Sequence, residues 1–135
     1  MRAQQTFEQL LVTHCAPTLA GLKMASLFNY EHGGREQLLE VLRFWKEQMG
    51  EYGLQLDILR ETPKKALIYV YWEQELEALL QKGQVRRILR DCGYEPLQPR
   101  LVLGQLKERM AGSGCFPHEI GLFLGSRRPS GLRKT

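Results

Sequence analysis

The sequence predicts an α+β fold, a single domain with a mainly antiparallel sheet that contains a central β-hairpin, packed by three to four amphipathic helices. Three observations indicate this class. The 135 residues suit one hydrophobic core, and 43% hydrophobic with 25% charged residues is typical of a globular domain. Two neighbouring segments carry strand patterns, and helical periodicity occurs on both sides of them. We therefore predict one domain over residues 1–125 and a disordered basic tail over 126–135.

The hairpin is the clearest local signal. In residues 54–58, leucine and isoleucine alternate with Gln55 and Asp57, as in a half-buried strand. Residues 62–65 supply a turn, and residues 66–72 (ALIYVYW) are rich in strand-forming residues. The pattern predicts two antiparallel strands joined at this turn.

The segments before the hairpin predict a helix, a strand and a second helix. Residues 4–14 place apolar side chains on one helical face, and Pro17 then interrupts the pattern. Residues 25–30 have the composition of a strand. Residues 35–49 follow helical spacing closely, and Gly50 ends that helix.

The segments after the hairpin are predicted to be mainly helical. Residues 73–91 form one helix with a weak point at its glycine. Pro96 and Pro99 suit the first turn of a further helix that continues to about Met110. Residues 120–124 are consistent with either a final strand or a short helix.

The composition argues against membrane and secreted proteins. No apolar run approaches the roughly 20 residues that a bilayer span needs, and the N-terminus lacks the apolar core of a signal peptide. The three cysteines, at positions 15, 92 and 115, are odd in number and widely spaced, unlike a disulfide framework. We expect a cytoplasmic protein.

The net charge of +4 comes from the end of the chain. Four basic residues and no acid lie after residue 125, which leaves 15 basic and 15 acidic residues in the predicted domain. Because nucleic-acid binding requires basic residues gathered on one face, we do not expect the domain to bind nucleic acid. The partner is unknown, and a homo-oligomer is left open.

Two distant segments carry the candidate chemistry, residues 14–18 (HCAPT) and 115–121 (CFPHEIG). If the fold joins them, Cys15 could act as a nucleophile with His118 as its base and Glu119 orienting the imidazole. If Pro17 begins a new helical segment, the thiol would lie at a positive helix end, which lowers a cysteine pKa. The alternative is that Cys15 is a small buried hydrophobic residue.

The same segments also permit a metal site. Cys115 and His118 form a Cys-x-x-His pair, and His14 with Cys15 could complete four ligands for zinc or iron. The adjacency of the second pair argues against this, and a His-Glu-x-x-His zinc motif is excluded.

Three further residues in or near the two segments are candidates for ligand binding. They are Thr18, Lys23 and Phe116. The sequence leaves the cofactor unknown.

Both segments resemble one bacterial family, domain of unknown function 3793. Residues 15–28 (CAPTLAGLKMASLF) look like its opening motif, and residues 116–125 (FPHEIGLFLG) look like its second motif. The resemblance covers about residues 5–125. It implies a fold shared with proteins found mainly in anaerobic Gram-positive bacteria, and it implies no activity.

The chain departs from this family pattern in two places. Met24 stands where the opening motif has proline. After Gly125, where family members continue with a Tyr-Pro pair, acidic residues and a further stretch, this chain changes to a short basic sequence. We therefore expect a C-terminally truncated or frameshifted member.

These observations favour a non-catalytic binding or regulatory module with a packed junction around Cys15 and His118. The first alternative is a thiol-dependent enzyme, a hydrolase, a transferase or a redox thiol, that uses Cys15, His118 and Glu119. The second alternative is a metal-binding protein.

Overall fold

A computed structural model describes residues 6–95, 97–113 and 119–124. This part of the chain forms a three-stranded antiparallel sheet and six helices, which confirms the predicted α+β class. Cys115, Phe116 and His118 lie outside the described residues, as does the predicted tail over 126–135.

The elements follow one another along the chain with short connections. In order, they are α1 (Phe7–Leu19), β1 (Ala25–Glu31), α2 (Arg35–Gly50), β2 (Leu54–Glu61), β3 (Lys65–Trp72), α3 (Glu73–Gln81), α4 (Gly83–Asp91), α5 (Pro99–Ser113) and α6 (Ile120–Phe123). The predicted hairpin is therefore β2–β3, and the predicted strand at residues 25–30 is β1.

Strand β3 is the centre of the sheet, whose order is β1-β3-β2 with both pairings antiparallel. Every residue from Ala66 to Tyr71 is buried. The reason is that both faces of the sheet are covered, so the strand is apolar throughout instead of alternating. The pairing of β2 with β3 is interrupted by a bulge between Ile58 and Arg60.

The sheet separates two hydrophobic clusters. Side chains of Ala66, Ile68 and Val70 pack with α1 and α2 on one face. The intervening side chains, those of Leu67 and Tyr69 among them, pack with α3, α4, α5 and α6 on the other face. Covering by helices thus accounts for the aromatic residues of β3.

Helix α1 differs from the prediction in both of its bounds. It begins at Phe7, after a capping box formed by Thr6 and Gln9, and it continues through Pro17 to Leu19. Proline removes one intrahelical hydrogen bond, and Pro17 lies exposed within the last turn of the helix. Pro17 therefore does not begin a new helical segment, contrary to one premise of the thiol hypothesis.

The second half of the chain also contains more helices than predicted. The predicted helix over 73–91 is interrupted at Lys82, whose backbone is extended, and Gly83 begins α4. The segment from Ile120 to Phe123 is a helical turn and not a strand. In the described part of the chain, no helix is long and apolar enough to cross a membrane.

Candidate functional site

Cys15 lies in a buried polar contact between α1 and β1. The side chains of Cys15 and Thr18 are fully buried, and Ser26 is nearly so. The hydroxyl oxygens of Thr18 and Ser26 are 2.5 Å apart and share a hydrogen bond, and Ser26 also hydrogen-bonds the thiol. These three side chains satisfy one another inside the core, as buried polar groups must.

The thiol of Cys15 is not activated by this environment. Burial raises its pKa to about 11, and the Ser26 hydrogen bond and the charge of Lys23 offset that effect only partly. Because α1 runs through Pro17, Cys15 also lies in the C-terminal half of a helix, away from the positive N-terminal end. The predicted lowering of the pKa is therefore wrong, and the thiol is protonated at neutral pH.

The residues that follow Cys15 form the C-terminal cap of α1. The amide of Leu22 donates to the Pro17 carbonyl at 2.8 Å, and the amide of Gly21 donates to the Thr18 carbonyl at 3.0 Å. Gly21 has φ +79°, the left-handed conformation that glycine adopts most easily. This pair of bonds is a Schellman motif, so much of the opening segment has a structural role.

Trp72, at the end of β3, attaches this cap to the sheet. Its indole donates to the Thr18 carbonyl at 2.6 Å, and its amide donates to the Met24 carbonyl at 3.1 Å. A cavity of about 350 Å³ lies beside the indole, and Lys23 and Tyr52 are among its lining residues. Of the candidate binding residues in the described part of the chain, Lys23 lines a cavity, whereas the Thr18 side chain is buried and hydrogen-bonded to Ser26.

The proposed metal ligands are not assembled in the described part of the chain. His14 is exposed and stacks on Phe28, with ring centroids 6.2 Å apart, whereas the neighbouring Cys15 is buried. Among the described residues, no three His, Cys, Asp or Glu side chains are grouped as a metal site requires. Since Cys115 and His118 lie outside those residues, the four-ligand site stays a prediction.

Glu119 is buried at a polar contact on the other side of the sheet. Its carboxylate accepts a hydrogen bond from the Tyr94 hydroxyl at 2.8 Å and forms an ion pair with the Arg109 guanidinium. Arg109 lies over the Tyr94 ring, 5.7 Å from its centroid, and also donates to the Cys92 carbonyl at 3.2 Å. The contact joins α5 to the segments just after α4 and just before α6.

The pKa values follow from this arrangement. Burial by itself would raise the pKa of Glu119, but hydrogen bonds from Tyr94 and Arg109 outweigh it and lower the pKa overall. Burial and the Glu119 hydrogen bond raise the pKa of Tyr94. Burial and the charge of Glu119 also raise the pKa of Cys92. At neutral pH, Glu119 is therefore ionised, and Tyr94 and Cys92 keep their protons.

Cys15 and Glu119 contact different faces of the sheet. Cys15 belongs to the cluster of α1 and α2, and Tyr94, the partner of Glu119, belongs to the cluster of α3 to α6. A role for His118 between them stays a prediction, because His118 is not among the described residues. Tyr94 and Arg109 were not among the predicted site residues, because they stand 25 and 10 residues from Glu119 and carry no local motif.

A groove of about 1010 Å³ lies along β2, between α2 on one face of the sheet and α5 on the other. It is larger than the cavity beside Trp72. The residues that line it are Arg35, Leu39, Leu42, Arg43, Lys46 and Glu47 from α2, Asp57, Ile58, Leu59, Arg60 and Glu61 from β2, and Lys107, Met110 and Ala111 from α5.

The groove combines five basic side chains with three acidic ones. Asp57 pairs with Lys107 at 2.7 Å, and Glu61 pairs with Arg35. Arg60 reaches across to α5 and donates to the Met110 carbonyl at 3.4 Å. The groove therefore has a net positive charge, although the domain as a whole was expected to be neutral.

The comparisons with known proteins identify one family. A family model described as "Protein of unknown function (DUF3793)" matches residues 11–126. Neither the curated proteins nor the solved structures contain a match to this chain. The family match covers most of the chain and includes both of the distinctive segments. The chain therefore belongs to the DUF3793 family, as its two motifs predicted.

Proposed function

We propose that this protein is a non-catalytic binding or regulatory module, and that its partner binds in the groove between α2, β2 and α5. The observation that carries the proposal is the groove itself, which has a volume of about 1010 Å³. It is lined by the edge strand β2 and by apolar and charged side chains of α2 and α5. A cytoplasmic location, expected from the cysteine pattern, is part of the same proposal.

The state of Cys15 supports a module over a thiol-dependent enzyme. A nucleophilic cysteine needs a thiolate that substrate can reach. Cys15 is fully buried, its pKa is raised to about 11, and Ser26 hydrogen-bonds its thiol. These contacts attach α1 to the sheet, and this structural role is all that a packed junction requires of Cys15.

The surface of the groove supports binding. Ligand sites in proteins combine a concave apolar surface with a few polar groups that orient the ligand. Here Leu39 is 41% exposed on the wall formed by α2, and Ile58 is half-buried on the floor. The charged side chains that also line the groove would orient the ligand.

The non-catalytic part is tested by alkylation of the cysteines against pH, with Cys92 as the internal reference. Cys92 is only partly buried, so we expect it to react in the folded protein, whereas Cys15 stays unmodified until the protein unfolds. Residue-resolved mass spectrometry measures both. Reaction of Cys15 with a midpoint well below the usual cysteine pKa of about 8.5 would contradict the proposal.

The binding part is tested by NMR with a library of fragment-sized carboxylates, amines and neutral amides. The amides of residues 57–61 and the facing turns of α2 are expected to shift with carboxylates. Fragments that instead shift the residues around the cavity beside Trp72 would move the binding surface there and overturn the use of the groove.

A further inference from the structure

We infer that the groove binds an acidic, extended segment of another protein, which adds to β2 as a fourth strand of the sheet. This inference rests on the proposed function and names the chemistry and the geometry of its ligand. The carrying observation is that β2 is an edge strand whose open side lies inside the groove.

The backbone of β2 offers the first half of the recognition. Within the described residues, β2 pairs with β3 alone, so its other edge has no strand partner. A sheet edge presents unpaired amides and carbonyls that an extended peptide can complete. Residues 57–61, which form the floor of the groove, would span about 17 Å of such a peptide.

One amide of this strand is bonded to a side chain and is available for exchange. The amide of Ile58 donates to the Asp57 carboxylate at 2.9 Å. An incoming strand can replace that contact with a carbonyl oxygen, while Asp57 keeps its ion pair with Lys107. The exchange preserves the number of hydrogen bonds, so it adds no unpaired buried group.

The charge of the groove selects an acidic partner. Two of its three acidic residues, Asp57 and Glu61, are already paired with Lys107 and Arg35. Arg43 and Lys46 stand one turn apart on the exposed wall formed by α2. Five basic residues against three acidic ones leave a net charge of +2 for a ligand to neutralise.

The same charge disfavours two other occupants. The sequence after residue 125 carries four basic residues and no acid, so this segment of the chain would be repelled. A second copy pairing edge to edge would bring two grooves of net charge +2 together.

The two walls define the side-chain pattern of the segment. Side chains of a strand point alternately to opposite faces of the sheet. The wall from α2 carries more basic residues than acidic ones, with Arg43 and Lys46 beside Glu47. The wall from α5 offers Met110 and Ala111. The fitting sequence therefore alternates acidic residues, directed to α2, with small aliphatic residues, directed to α5.

The test uses a blocked, fluorescein-labelled nine-residue peptide of alternating glutamate and valine, titrated with the full chain and followed by fluorescence anisotropy. Three control probes have the same length. In one, glutamate is replaced by lysine, in the second the amides that would face β2 are N-methylated, and the third is an oligothymidylate. We expect binding of the first peptide, at least tenfold weaker binding of the N-methylated peptide and no binding of the other two.

A charge-reversed variant tests the site. Arg43→Glu with Lys46→Glu is expected to weaken binding about tenfold, because two exposed pairs each become repulsive. The matched control reverses Arg87 and Arg90, exposed residues at the same spacing on α4, and should leave the affinity unchanged. Equal losses in both variants would overturn the inference.

The probes separate this inference from the proposed function. If the N-methylated peptide or the oligothymidylate binds as well as the first peptide, strand addition to an acidic segment is refuted, and a binding groove is still supported. If no probe binds but the carboxylate fragments shift the groove, the inference alone fails. If the fragments shift only residues elsewhere, the proposed function fails with it.

Discussion

Replacing Glu119 by glutamine is the sharpest test of the polar contact on the second face of the sheet. The residue is 2% exposed, and its carboxylate accepts hydrogen bonds from Tyr94 and Arg109. Glutamine has nearly the same shape and still accepts from Tyr94. The substitution therefore removes the charge while keeping the packing.

The expected loss follows from the type of each bond. Hydrogen bonds to a charged group contribute about 1.5–3 kcal/mol and neutral ones about 0.5–1.5 kcal/mol. The Arg109 side chain is 41% exposed, so solvent screens its share of the interaction. We expect Glu119→Gln to lower the free energy of unfolding by about 1–2 kcal/mol at pH 7.

The pH dependence has a definite sign. The pKa of Glu119 is lowered by folding, so its contribution is present above the pKa of the unfolded chain, about 4.3 for glutamate. That contribution is lost as the pH falls through the lowered pKa of the folded state. The difference between wild type and Glu119→Gln should therefore shrink in acid.

Urea denaturation followed by circular dichroism at pH 7 and at pH 3 measures both effects. Glu77→Gln, at an exposed position of α3, is the matched control and should stay within about 0.5 kcal/mol of wild type. A Glu119→Gln protein as stable as this control at pH 7, or a difference that does not shrink at pH 3, would refute the reasoning.

Two further predictions concern Gly21 and Cys92. Gly21→Ala should lower the free energy of unfolding by about 1 kcal/mol, because alanine is strained at φ +79°. The control is Gly83→Ala, at a helix start without a positive φ, which should not lower the stability. Equal thermal stabilities of the two variants would contradict the role of Gly21 in the helix cap. Burial and the charge of Glu119 raise the pKa of Cys92, so Glu119→Gln, which removes the second of these causes, should speed alkylation of Cys92 at pH 8. An unchanged rate, measured by mass spectrometry, would place the thiol outside the influence of that carboxylate.

The elements that could be predicted are those with a strong local period. The alternation in residues 54–58 and the strand formers of 66–72 identified β2 and β3, and the helical stripe of 35–49 identified α2. Helix α1 was predicted to end too early because proline usually ends a helix, whereas this proline is exposed and the cap at Gly21 ends the helix instead. The sequence indicated a weak point at Gly83, next to the break at Lys82, and left residues 120–124 open between a strand and a short helix, because such short segments carry too few residues for a period to be read.

The candidate site was only partly predictable. The unusual composition around Cys15 identified a junction of the fold, but burial of the thiol depends on the contact of α1 with β1. Glu119 was predicted to orient His118, which lies outside the described residues, and its contacts with Tyr94 and Arg109 were not predicted. Its ion pair with Arg109 depends on the packing of α5, which no spacing in the sequence encodes.

The sequence by itself therefore determined the α+β class, the central hairpin and the family, because periodicity and motifs are local properties of a chain. The tertiary structure decided where charge gathers. The predicted domain has equal numbers of acidic and basic residues, yet packing of α2 and α5 beside β2 brings five basic side chains into one groove. Electrostatic fields depend on distances in space, and residues as far apart as Arg35 and Lys107 become neighbours of one cavity only when the sheet forms.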